Sequence, residues 1–195
     1  MLRRTALITL AGSLLAACAP EKGKPQFKSV DITGADYAKD FALPDADGKV
    51  RTIKDFAGKA VVVFFGYTQC PDVCPTTLTD ISQAKKLLGA DGSKVEGVFI
   101  TVDPARDTPE VLKAYMANFG PDMIALRGND AQVAATAKDF KVYYKKVDGK
   151  TPDSYYMEHT AASYIYDPQG RLRLYARYGA GPQVLADDLK QLLQA

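Results

Sequence analysis

The sequence predicts one α/β domain, with a central mixed sheet, helices on both faces and a hairpin extension on its N-terminal side. Three features carry that expectation. Apolar strand-like runs alternate with helix-period runs between residues 60 and 142, the pattern of parallel strands joined by helices. Two later strand-like runs flank the turn "DPQG", and an antiparallel pair there makes the sheet mixed. The 195 residues, 47% apolar and 25% charged, show no internal repeat and no second apolar core. That is enough chain for one well-buried domain with a terminal segment to spare.

The terminal segment comes first. "MLRRTALITLAGSLLAAC" places Arg3 and Arg4 before a short apolar stretch and small residues before Cys18. This is the layout of an export signal, and its apolar part is too short to span a bilayer comfortably. Its end, "LLAAC", resembles a bacterial lipobox. Residues 1–17 are therefore read as a lipoprotein signal peptide and Cys18 as the lipidated first residue of the mature chain. Residues 18–39, polar and rich in Gly, Pro and Lys, are read as a flexible tether ending in a short strand. Residues 40–195 form the predicted domain. The expected location is extracytoplasmic, in a bacterial cell envelope, lipid-anchored to a membrane and facing the periplasm. Without Arg3 and Arg4 the chain carries 23 basic and 23 acidic side chains. No basic stripe is available to neutralise phosphates, so no nucleic-acid partner is expected.

Within the domain, residues 41–59 have apolar ends around a D-G turn and predict the hairpin extension. "AVVVFFG" (60–66) lacks polar alternation and reads as a central strand buried on both faces. Helical spacing then recurs at Leu78, Ile81, Ala84, Lys85 and Leu88, with Pro75 as the first helical residue and Cys74 as the N-cap. "VEGVFITVD" (95–103) is a second buried strand. Residues 108–120 are a helix capped by Asp107 or Thr108 and stopped at Gly120. "MIALRG" (123–128) is a short strand and residues 130–142 are helical. Residues 143–159 read as a long, irregular, Tyr-rich connection. Residues 160–167 and 171–177 make the closing hairpin. From Pro182, residues Val184, Leu185, Leu189, Leu192 and Leu193 line one side of a final helix.

The chemistry gathers in "GYTQCPDVCP" (66–75), at the carboxyl end of the predicted central strand, where open α/β sheets build their sites. Cys70 and Cys74 sit at a helix start, where unpaired N–H groups and the helix dipole favour thiolate. Their spacing suits a structural disulfide, a redox dithiol or two legs of a metal site. A metal needs a further donor, and the chain's one histidine, His159, ends the Tyr-rich connection. Two thiolates with an imidazole would be a soft set suited to copper. A structural zinc site would want a fourth protein ligand, and none is evident. The residues alone leave these readings open. "DPARDTP" (103–109) reads mainly as a strand end followed by a helix cap, with Arg106 free to orient a carboxylate or meet an acidic partner. Tyrosines near His159 suit either a docking face or a means of pinning the loop. No nucleophile–base–oxyanion set for hydrolysis is visible.

Three segments in order, "FFGYTQCPDVCPTTL" (64–78), "VDPARDTPEVLKAYM" (102–116) and "YYMEHTAASYIYDPQGRL" (155–172), resemble the Sco/SenC family of thioredoxin-like, copper-binding cytochrome c oxidase assembly proteins. The resemblance spans about residues 40–195. It implies a thioredoxin-like fold and one copper ion per domain, Cu(I) or Cu(II), held by Cys70, Cys74 and His159. Asp72 matches the family's usual acidic residue between the cysteines and is not read as a ligand. The implied partners are cytochrome c oxidase subunit II or a related cupredoxin domain, other copper chaperones or thiol reductants, and the membrane through the lipid anchor. The implied function is a copper chaperone. The alternative is an extracytoplasmic thiol–disulfide oxidoreductase that keeps partner cysteines reduced, with Cys70 and Cys74 as its redox residues. Joining these two in a disulfide would remove both anionic donors and switch the site off.

Overall fold

The computed structural model describes residues 25–121, 123–151 and 154–194. The expected signal peptide and the expected lipidation at Cys18 lie outside these residues. No described helix is long and apolar enough to cross a membrane. The polar stretch expected to be a free tether is docked over its described part. Asp188, fully buried on the last helix, accepts hydrogen bonds from the backbone N–H groups of Lys28 and Ser29 at 2.7 and 2.8 Å. The chain then forms β1 (Val30–Asp31) on the edge of the main sheet. Backbone donors hold one end of this segment at Asp188, and Phe27, Ile32 and Tyr37 pack against the core. The ordered fold accordingly reaches back before residue 40.

The predicted N-terminal hairpin is present but short. β2 (Leu43–Pro44) pairs with β3 (Val50–Arg51) across the D-G turn, and the following residues 53–56 coil into a 3-10 turn. Asp45 holds the hairpin together, accepting from the backbone of Asp47 and Lys49 and from Arg51 Nε. β4 (Ala60–Gly66) follows with every residue buried. α1 (Val73–Leu87) begins two residues earlier than Pro75 implied, so Cys74 lies inside its first turn and Asp72 takes the N-cap position. Proline has no N–H to lose within the first turn, so it fits there as well as at the first helical residue.

β5 (Val95–Thr101) is again buried throughout. α2 (Pro109–Met116) is capped by Thr108, whose hydroxyl accepts from Val111 N, and not by Asp107. β6 (Met123–Leu126) and α3 (Asp130–Asp139) follow, the latter opened by a reciprocal Asn129–Gln132 box. Residues 143–159 correct the expectation of an irregular connection: β7 (Tyr144–Asp148) and β8 (Tyr155–His159) form an antiparallel ribbon. β9 (Ala162–Tyr166), β10 (Leu172–Arg177) and α4 (Pro182–Leu193) close the chain as expected.

The main sheet runs β1-β10-β9-β4-β5-β6, with β4, β5 and β6 parallel and β9 antiparallel to β4. Alternation along β4 sends Phe64 and Gly66 to the face that carries α1, and Phe65 to the opposite face. There Phe65 meets Phe140, at the end of α3, and Tyr164 of β9. α1 and α4 pack together. This is the thioredoxin-like arrangement, and it leaves the carboxyl end of β4 pointing straight at the cysteine loop.

Candidate metal centre

The first two donors follow from one turn of chain. β4 ends at Gly66, the backbone crosses through Tyr67, and α1 starts at Val73, so Cys70 and Cys74 face each other over the helix mouth. Cys74 is fully buried and Cys70 half-buried, and both thiols are free. Cys70 Sγ accepts the backbone N–H of Cys74 at 3.5 Å. Gly66 makes room for this: a Cβ there would lie 2.7 Å from Cys74 Sγ and 2.7 Å from Phe99. The sequence offered a signal for Gly66, a glycine ending an otherwise apolar strand just before the cysteines, which marks close approach of another group.

The two sulfurs are electrically unequal. A hydrogen bond from the Cys74 thiol, helped by the backbone N–H groups of Asp72 and Cys74 and by His159, pulls Cys70 down to about 5 against the opposing effect of burial. Cys74 moves far the other way, because its proton is shared with the Cys70 sulfur and because it is buried. At neutral pH the pair is thus one thiolate and one thiol. One proton remains to be displaced when both sulfurs bind a metal.

His159 arrives from the end of β8, on a ribbon that closes over this mouth. Its Nε2 lies 3.4 Å from Cys74 Sγ, and Nδ1 lies 3.2 Å from the Thr160 carbonyl. With a metal between the three groups, a proton on Nδ1 donated to that carbonyl would leave the Nε2 lone pair for the ion. Phe64 and Tyr67 meet the imidazole edge-on, each with ring centroids 5.9 Å away. Cys70, Cys74 and His159 each present one ligand atom, all within 4.8 Å of one another. The structure has brought together all three residues singled out as candidate ligands. It is an anionic, soft, three-donor set partly open to solvent, suited to a monovalent or divalent copper ion.

Sequence reasoning missed the supports. Asp107, offered as a helix cap, is instead buried behind the thiol loop. It accepts from Thr68 Oγ1 at 2.6 Å, from Thr68 N and from Thr101 Oγ1 at 2.5 Å. Burial pushes its carboxyl above the usual range. Arg106 orients a carboxylate, as was open to it: Nε donates to Asp103 at 2.5 Å. Asp103 also accepts from the Tyr155 hydroxyl at 2.9 Å. Of the tyrosines, Tyr164 and Tyr166 are core residues, whereas Tyr143, Tyr156 and Tyr178 are exposed.

The SCO1/SenC family profile matches residues 30–194. A SCO2-like protein of Rickettsia felis is 33% identical over 178 residues, 91% of this chain and 87% of the relative. Bradyrhizobium japonicum ScoI with copper bound is 43% identical, with a TM-score of 0.71, covering 78% of this chain and 97% of that one. The apo Sco1 protein of Thermus thermophilus is 34% identical, with a TM-score of 0.76, over 86% of this chain and 97% of the other.

Proposed function

Since the chain belongs to the SCO1/SenC family, we propose that it is a copper chaperone that takes one copper ion on Cys70, Cys74 and His159 and passes it on during cytochrome c oxidase assembly. The observation that carries this reading is the convergence of two sulfurs and an imidazole nitrogen within 4.8 Å of one another, from segments 85 residues apart. Copper is cargo here. Thiolate coordination resists simple dissociation, while a three-donor set leaves room for an incoming thiolate from a docked partner to displace one donor after another. The further reading of the partner is oxidase subunit II or a related cupredoxin domain. Other copper chaperones or thiol reductants would restore the site. Cys18 would anchor the chain through lipid on the periplasmic side of a bacterial membrane, after removal of residues 1–17.

A second reading is favoured by the split titration of the cysteines. The Cys70 thiolate attacks one sulfur of a partner disulfide, that S–S bond breaks, and the released partner sulfur takes up a proton. Cys74 then gives up its proton and attacks the mixed disulfide. The products are a Cys70–Cys74 disulfide and a partner dithiol.

Titration of the reduced protein with copper separates the two. The chaperone reading expects one copper per chain, with C70A, C74A and H159A each weakening or altering its binding. Unchanged copper binding in H159A, together with rapid reduction of partner disulfides, would favour thiol exchange as the function.

A further inference from the structure

We propose that Arg106 is a positioning residue that sets the reach of His159 toward the two sulfurs. The inference rests on the copper-binding reading above. Among the described residues the β7–β8 ribbon is hydrogen-bonded to no other strand, so ladder bonds fix its internal register but not its tilt over the cysteines. Alternation along β8 puts Tyr155, Met157 and His159 on the inward face, in agreement with their burial. The His159 end runs through Thr160 and Ala161 into β9, and the Met157 backbone bonds to the Tyr67 hydroxyl. Tyr155, about 13 Å away at strand rise, is therefore where the other end of β8 is held and the tilt of the imidazole strand is set.

Arg106 holds Tyr155 in three ways. Its Nη1 donates to the Tyr155 carbonyl at 2.9 Å, its guanidinium stacks 3.5 Å from the ring centroid, and Asp103, its ion-pair partner, accepts the Tyr155 hydroxyl. The same Nη1 donates to Gln69 Oε1 at 3.0 Å, on the residue next to Cys70. One planar group thus spans the thiol loop and the imidazole strand. Among the described residues Arg106 Nη2 is buried without a partner, an arrangement that costs folding free energy. A side chain serving stability alone gains nothing from that, whereas a rigid fork that must reach several acceptors in fixed directions accounts for it.

The test uses the reduced full-length chain and its R106M and R106K variants, each with and without H159A. With His159 present, R106M is expected to lose the imidazole-nitrogen coupling in the Cu(II) electron paramagnetic resonance spectrum. Its Cu(II) affinity should fall about ten- to a hundredfold. On the H159A background the same substitution should cause no further fall. Without metal, R106M should speed amide exchange along Tyr155–His159 and leave β4 unchanged. Retained nitrogen coupling and affinity in R106M would overturn the proposal. So would an equal loss with and without His159, which would mean that Arg106 acts on the sulfurs or on the fold at large. Should R106M fail to fold, R106K decides by the same outcomes, since it keeps the charge beside Asp103 but not the fork. If the wild-type chain takes up no copper, the copper reading fails, and the metal-free exchange comparison alone judges Arg106.

Discussion

β4 and the β7–β8 ribbon deliver their donors to one point by different means. β4 has a hydrogen-bonded neighbour on each side and no exposed residue, so the loop that it launches inherits the rigidity of the core. Among the described residues the ribbon pairs with no strand but its own partner, keeps most of its residues exposed or half-buried, and is held down through Tyr155 and Met157. A lone two-stranded ribbon is marginally stable in water. The sulfurs are therefore a fixed half of the site and the imidazole an adjustable half. For a carrier that must both hold and release an ion, the adjustable half is where a partner can act, and release need not disturb the core.

Amide exchange gives the largest expected contrast. β4 amides should be protected on the order of a thousandfold more than β7 and β8 amides, because the ribbon opens without global unfolding. Copper loading should narrow that gap by protecting the ribbon alone. Equal protection in the metal-free protein would show that the two halves form one rigid unit.

Thiol reactivity is the next contrast, and it lies within the fixed half. The lowered Cys70 and raised Cys74 imply alkylation of Cys70 faster by about a hundredfold at pH 7. A thiol that ionises near 5 is already thiolate at neutral pH, so the Cys70 rate should stay flat from about pH 8 to 6 and fall as pH drops through about 5. A rate that instead climbed up to pH 9 would mean an ordinary thiol. Mass-mapped iodoacetamide labelling reads both.

Gly66→Ala probes the seam where the strand meets Cys74. Its methyl would press on Cys74 Sγ and on the Phe99 ring, both locked in the core. The expected loss is about 1–3 kcal/mol by denaturant unfolding, the usual cost of overpacking. A neutral result would mean that the seam can yield. The smallest effect is expected on the outer face of the ribbon. Lys145 stands opposite Glu158, both exposed, and K145A should change stability by no more than about 0.5 kcal/mol. A larger loss would show that surface pairs, and not Tyr155 and Met157, hold the ribbon in place.

Much of this was legible in the residues. The unbroken apolar run of β4, the Cys70–Cys74 spacing before a helical pattern, and the closing hairpin and helix are local features. A local feature leaves its period in the sequence, since strand and helix repeat at 2 and 3.6 residues. The docked stretch before residue 40 was not legible, because backbone N–H groups on Asp188 hold one end of it and its core contacts, Phe27, Ile32 and Tyr37, recur at no strand or helix period. The β7–β8 ribbon was also hidden: in "YKKVD" and "YYMEH" charge and aromatics interrupt the alternation.

By itself, then, the sequence determined the elements of the sheet and helices and the chemical kind of every donor: two thiols on one turn and a lone imidazole. Only the tertiary structure decided that the imidazole reaches the thiols, that Gly66 yields its side-chain space to a sulfur, and that Arg106 ties the two approaches together. The physical reason is distance along the chain. Cys74 and His159 are 85 residues apart, and no local period encodes a contact that exists only after β4, β9 and the ribbon have packed.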